Sequence, residues 1–163
     1  MIQPGDRVPS VPVRLLSARG VAMTDTLAVL GKGTVVLFGV PGAFTPTCDT
    51  SHLPGFVANA ARLRAAGVDR IVCAAANDHH VLKAWGEQSK ALGVVDFIAD
   101  PRRDFAEALG LTKEFEDLGR RYARFSMVLR DGVVDKIFVQ DGSGVTVSGA
   151  PAILVALQGQ AVA

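Results

Sequence analysis

Two short β-branched runs separated by one helical stretch constrain the fold of this chain more than any other feature. The first, Thr34-Val35-Val36-Leu37-Phe38-Gly39-Val40, is closed by Pro41-Gly42. A run that is apolar along its length, rather than at alternate positions, suits a strand covered on both faces. The second, Arg70-Ile71-Val72-Cys73-Ala74-Ala75, has the same character. Between them Phe56, Ala60, Leu63 and Gly67 recur at helical spacing, with Gly67 placed to stop a helix. Strand, helix, strand predicts a right-handed parallel crossover.

Downstream, Val81, Leu82, Trp85 and Leu92 form one apolar face of a helix expected over 78–92. A strand over 94–99 and a short helix over 104–109, ended by Gly110, come next. The apolar runs 125–129 and 133–139 flank Arg130-Asp131-Gly132, and Asp-Gly between such runs is a strong hairpin signal. Pro151 then opens a last helix through Leu157. The chain before Thr34 reads only as a Pro-rich entry, with Pro4, Pro9 and Pro12. The order predicts one α/β domain over 1–163, with a central mixed sheet flanked by helices. Thioredoxin-like and flavodoxin-like folds both fit. The late hairpin favours the thioredoxin-like one, because a doubly wound flavodoxin sheet would keep alternating strands with helices.

With 17 Lys+Arg against 16 Asp+Glu, 49% hydrophobic and 20% charged residues, the chain is neither disordered nor an electrostatic binder of nucleic acid. A domain of this size buries roughly 70% of the surface of its unfolded chain, so it needs no metal or disulfide staple. The two cysteines are therefore chemical or incidental. The strongly apolar stretches around 35–44 and 150–157 fall short of the ~20 residues that cross a bilayer. The start, Met1-Ile2-Gln3-Pro4-Gly5-Asp6-Arg7, has neither the basic region nor the apolar core of a secretory signal. With so few cysteines, a cytoplasmic location is expected.

The segment Pro41-Gly42-Ala43-Phe44-Thr45-Pro46-Thr47-Cys48 leaves the carboxyl end of the central strand, where α/β proteins place ligands. Thr45 before Pro46 reads as an N-cap and first helical residue, which puts Cys48 in the first turn. Free backbone N–H groups and the positive end of the helix dipole favour an anion there, so the thiol should ionise more readily. Cys48 reads equally well as a small buried hydrophobe, with Thr45 only a cap. No Cys-x-x-Cys pair exists, which excludes an ordinary thioredoxin. Pro54 should kink or interrupt the helix within about two turns of Cys48. His52 reads first as a packed, hydrogen-bonded histidine and second as a catalytic base.

The segment Phe38-Gly39-Val40-Pro41-Gly42-Ala43-Phe44-Thr45-Pro46-Thr47-Cys48, followed by His52-Leu53-Pro54-Gly55-Phe56, resembles the active-site signature of peroxiredoxins, and within them the type II, or peroxiredoxin-five-like, subfamily. Further similar blocks run in order over most of the chain: Val72-Cys73, Asn77-Asp78, Lys83-Ala84-Trp85, Ala108-Leu109-Gly110-Leu111, Arg124-Phe125-Ser126-Met127-Val128 and Asp141-Gly142-Ser143-Gly144. The resemblance implies that Cys48 is the peroxidatic cysteine, that Thr45 hydrogen-bonds the peroxide, that Pro41 shelters the thiolate and that Arg124 sits beside it. It implies a thiol-dependent peroxidase acting on hydrogen peroxide and organic hydroperoxides, with no metal, flavin or haem, and a homodimer packed near the active-site loops. Those roles suit the chemistry, because charge grows on the departing oxygen and donors must be aimed at it. Only Arg124 matches the motif; surface ion pairs are the ordinary use of its neighbours Arg120 and Arg121.

Where some family members carry a late resolving cysteine, this chain has Val147. The other thiol, Cys73, lies within an expected central strand, poorly placed to reach Cys48 within the roughly 7 Å between Cα atoms that a disulfide needs. It reads as structural. A one-cysteine mechanism is expected, with glutathione, glutaredoxin or thioredoxin supplying the second thiol. Asp49 follows Cys48 where the subfamily often has serine; its carboxylate suits the helix dipole but opposes a neighbouring thiolate. Tyr122 also replaces a common serine. His79 and His80, adjacent on a helix, do not make a chelating pair. Two rival functions stay open: a peroxide sensor relaying oxidation of Cys48 to a protein partner, and a non-catalytic binding module with an unreactive Cys48.

Overall fold

The computed structural model describes residues 1–140 and 144–162, with side chains through residue 158. The block Asp141-Gly142-Ser143 lies outside the described residues. The first strands, β1 (Pro12–Ser17) and β2 (Gly20–Asp25), form an antiparallel hairpin where the sequence suggested an irregular entry. Helix α1 (Thr26–Leu30) follows, capped by the Asp25 carboxylate, which accepts from the Ala28 N–H. Strands β3 (Thr34–Val40) and β4 (Arg70–Ala75) are the two apolar runs and pair in parallel.

Between these strands the expected helix is broken into three pieces. A π-helical turn spans Cys48–His52, α2 spans Leu53–Ala58 and α3 spans Ala60–Ala65. Leu53 N–H bonds the Cys48 carbonyl five residues back, which widens the turn just before Pro54, the residue with no N–H to give. Asn59 leaves helical geometry, and its amide donates to the Gly55 carbonyl, so one helical period becomes two short helices.

Helix α4 (His79–Gln88) is capped by Asp78 and stops short of the expected 92, because Lys90 turns into the left-handed region with φ 56°. Strand β5 (Asp96–Ala99) and helix α5 (Asp104–Leu109) come next, α5 closing on left-handed Gly110. The small hairpin of β6 (Thr112–Phe115) and β7 (Gly119–Tyr122) was not legible in the sequence. The expected hairpin is β8 (Phe125–Arg130) with β9 (Val133–Val139), turned by Asp131 and Gly132, both at positive φ as a primed two-residue turn requires. Helix α6 (Ala150–Val162) closes the chain.

The main sheet runs β2-β1-β5-β4-β3-β8-β9 and is mixed, parallel at β5-β4-β3 and antiparallel on either side. Alternate residues of β3 serve two cores: Val36, Phe38 and Val40 pack with α2, α3, α4 and α6, whereas Val35 and Leu37 pack with α1 and α5. Cys48 belongs to the first core, so the loop that leaves β3 delivers its thiol into that layer. Among the described residues no helix is long and apolar enough to cross a membrane.

Candidate active site

The loop from β3 to the π-turn is held by contacts to its neighbours. Ala43 N–H donates to the side chain of Asn77 at 2.9 Å, so the loop after β4 supports the loop after β3. Phe44 sits at φ 63°, a left-handed conformation that a non-glycine residue keeps only where its surroundings enforce it. The Thr45 carbonyl accepts from Asp49 N–H at 2.9 Å, which starts the helical ladder where the sequence placed it. The Thr45 hydroxyl, however, is no N-cap: it donates to the Gly42 carbonyl at 2.7 Å. Its proton is thus committed to the loop, and its lone pairs remain to accept. Thr47 and Cys48 precede the first intrahelical donor, so their N–H groups are those a helix leaves unpaired.

Arg124 comes to this turn from the far side of β3. It precedes β8, whose Phe125 lies opposite Gly39. A Cβ at Gly39 would collide with the Phe125 ring, so glycine there lets the ring lie across β3 and fixes where β8 begins. The Arg124 guanidinium then meets two partners. Nη2 donates to Cys48 Sγ at 3.1 Å, and Nη1 donates to His52 Nδ1 at 2.8 Å. Cys48 is fully buried, so the guanidinium meets its sulfur in a low-dielectric setting that strengthens the attraction to a thiolate. A cavity of about 150 Å³ opens beside them, lined by Pro41, Thr47, Lys113, Phe115, Arg124, Gln140 and Gly144. The structure therefore brings Pro41 and Arg124 to one small mouth, with Cys48 buried behind it against the Arg124 guanidinium and Thr45 on the adjoining turn.

His52 is the packed histidine. Its ring lies among Phe38 and Phe56, with centroids 4.9 and 5.6 Å away, and Nε2 bonds the Ser148 carbonyl at 2.9 Å. A carbonyl only accepts and a guanidinium only donates, so the ring is neutral with its proton on Nε2. Burial, reinforced by the Arg124 charge and only partly offset by the Ser148 carbonyl, lowers its pKa from 6.5 to about 3. A base of that strength, with both nitrogens engaged, orients Arg124 rather than abstracting protons.

Cys73 is buried in mid-strand, paired with Phe38 on β3 and Phe97 on β5. Burial pushes its thiol well above the ordinary range and the neighbouring Cys48 adds to this, so it stays protonated. The Asp49 carboxylate accepts from the Trp85 indole N–H at 2.9 Å, which ties the π-turn to α4. Arg120 forms the expected surface ion pairs, with Glu107 and Glu114. Arg121 forms none among the described residues: it donates to the carbonyls of Leu118 and Ala76, near Gly42, and braces the loops around the mouth. Sequence reasoning missed Asn77 as a loop support, and it missed Gln140 and Ser148. A backbone carbonyl at residue 148 has no residue-type signature, and Gln140, though it adjoins the similar block from Asp141, carries none that marks a loop-holding role.

The Redoxin family model matches residues 3–154. Peroxiredoxin-2B of Arabidopsis thaliana is 41% identical over 156 residues, covering 94% of this chain and 96% of the relative. The crystal structure of reduced Prx3 from Vibrio vulnificus in complex with hydrogen peroxide superposes with a TM-score of 0.89 at 40% identity, covering 96% of this chain and 99% of that one. Peroxiredoxin 5 from Alvinella pompejana superposes with a TM-score of 0.83 at 25% identity, over 98% of this chain and 100% of its own.

Proposed function

Because the chain belongs to the Redoxin family and is a type II peroxiredoxin, a thiol-dependent peroxidase of thioredoxin-like fold, we propose that it works with Cys48 alone and draws its second thiol from outside. The observation that carries the site assignment is the 3.1 Å contact from Arg124 Nη2 to Cys48 Sγ at the mouth of a cavity sized for a small molecule.

The Cys48 thiolate attacks the terminal oxygen of a hydroperoxide along the O–O axis. An S–O bond forms, the O–O bond breaks, and the departing hydroxide or alkoxide takes from solvent the proton released when the Cys48 thiol ionised, leaving as water or alcohol. The Thr45 oxygen, its own proton committed to Gly42, accepts from the peroxide O–H and turns that oxygen toward sulfur. Arg124 and the unpaired N–H groups of the first turn face the charge that develops on the leaving oxygen. Pro41, buried at the cavity wall, keeps water from the sulfur. The product is a Cys48 sulfenic acid.

An external thiol then attacks that sulfur, water leaves, and a mixed disulfide remains for a second thiol to release. Glutathione, glutaredoxin and thioredoxin all fit this chemistry. Cys73 suits it poorly, because it is protonated and fixed within the sheet. Since Cys48 is fully buried, a thiol reaches its sulfenic acid only after the Cys48–His52 turn opens. A homodimer packed near the active-site loops fits the exposure of Phe44 and Val147, and light scattering tests it.

The test of the mechanism is intact-protein mass after slightly less than one equivalent of hydrogen peroxide. Gain of one oxygen, abolished in Cys48→Ser and kept in Cys73→Ser, is expected, as is thiol-driven turnover of Cys73→Ser at the wild-type rate. Loss of two hydrogens in the wild type, absent in either variant, would make Cys73 the resolving thiol instead.

A further inference from the structure

Gln140 follows β9, and its N–H donates to the Arg124 carbonyl at 2.8 Å. Its side chain is turned to residues 146 and 148 instead. Oε1 accepts from Thr146 N–H at 2.9 Å, from the Ser148 hydroxyl at 3.1 Å and from Ser148 N–H at 3.4 Å, while Nε2 donates to the Thr146 hydroxyl at 2.8 Å. One amide thus holds a short loop by four contacts, and Ser148 at its end is fully buried. Ser148, so fixed by its N–H and hydroxyl, carries the carbonyl that accepts from His52 Nε2.

We infer that Gln140 is a positioning residue for the Cys48 reaction, acting through Ser148 and His52 to hold the Arg124 guanidinium against the sulfur. The inference rests on the peroxidase reading and adds the residue that sets its geometry. Each link follows from donor and acceptor type. With the Ser148 carbonyl in place, the proton of His52 is confined to Nε2, and Nδ1 offers its lone pair to Arg124 Nη1. Without that carbonyl the proton can move to Nδ1, where it meets the guanidinium N–H head-on. Arg124 then loses the acceptor that fixes its plane, and Nη2 loses its aim at Cys48 Sγ. A carboxylate at position 140 could replace the amide, because its oxygens accept the same three donors and the Thr146 hydroxyl can turn to donate.

The experiment compares wild type, Gln140→Leu, Gln140→Asn and Gln140→Glu by two readouts: the second-order rate of Cys48 oxidation by hydrogen peroxide, and the ¹⁵N spectrum of the His52 ring, assigned with His52→Gln. Gln140→Leu and Gln140→Asn should slow oxidation between about 10-fold and 100-fold, as misplacement of a reacting group does. In the same two proteins the single Nε2–H tautomer should become a mixture. Gln140→Glu, which keeps acceptors for the same donors, should keep the single tautomer. Wild-type rates in Gln140→Leu and Gln140→Asn, or slower rates with the tautomer unchanged, would overturn the role, the second outcome marking Gln140 as merely structural. A wild-type Cys48 that ignores peroxide while His52 holds its single tautomer would instead overturn the peroxidase reading, and this role with it.

Discussion

Acid should unfold this protein partly through one histidine. His52 titrates near 6.5 in an unfolded chain and near 3 when folded, because the proton would have to enter a buried ring already facing Arg124. Below pH 6.5 the unfolded chain binds a proton that the folded one refuses, so stability falls with falling pH. The contribution is complete above 6.5 and is lost as pH drops toward 3, reaching about 5 kcal/mol over the whole interval. Between pH 7 and pH 5 the loss is about 2 kcal/mol. His52→Gln removes the titration while leaving an acceptor for Arg124 and a donor for Ser148. Urea unfolding of the reduced proteins at pH 7, 6 and 5 gives the comparison, since every group the two proteins share contributes equally to both and cancels. The wild type should lose about 2 kcal/mol more than His52→Gln over that range. Parallel loss in the two proteins would refute the assignment of a neutral, Nε2-protonated His52.

Arg124→Met should slow oxidation of Cys48 by about 10²-fold to 10³-fold, the usual cost of one donor aimed at developing charge, measured by stopped-flow with hydrogen peroxide. Asp49→Ala should release the Trp85 indole N–H, cost about 1 kcal/mol in urea unfolding and alter the emission of the chain's single tryptophan. Tyr122→Phe removes a 2.7 Å bond to the buried Asp100 carboxylate, which keeps the Ala106 N–H, and should cost about 2 kcal/mol with a lower thermal midpoint.

The parts of the fold that were legible in the sequence are those whose physics is local. β3 and β4 are covered on both faces beyond their first residues, so those buried positions must be apolar, and the runs fall at Thr34–Val40 and Arg70–Ala75. Asp131 and Gly132 announce the β8–β9 turn because few other residues accept two positive φ angles in succession. The β1–β2 hairpin left no such mark. β2 is a sheet edge with Val21 and Met23 exposed, so no core imposes an alternating pattern on it. β6 and β7 are held by their own ladder and by charges such as Arg120 with Glu114, which on a page look like solvated loop.

The site divides along the same line. Cys48 and Arg124 were legible because the proposed reaction needs their functional groups, and no other residue type supplies a thiolate or a forked cation. What holds them was not, because it is mostly main chain: the Gly42 carbonyl that takes the Thr45 proton, and the Ser148 carbonyl that fixes His52. A carbonyl is present at every position, so only the fold decides which one points at the site. His52 shows the consequence. Its two nitrogens face partners 96 and 72 residues away in sequence, Ser148 and Arg124, and only when both are in place does a residue that resembles a catalytic base become a fixed, neutral acceptor. The chemistry of this site is therefore written in a few side chains, and its geometry in the backbone that a seven-stranded sheet brings to one end of β3.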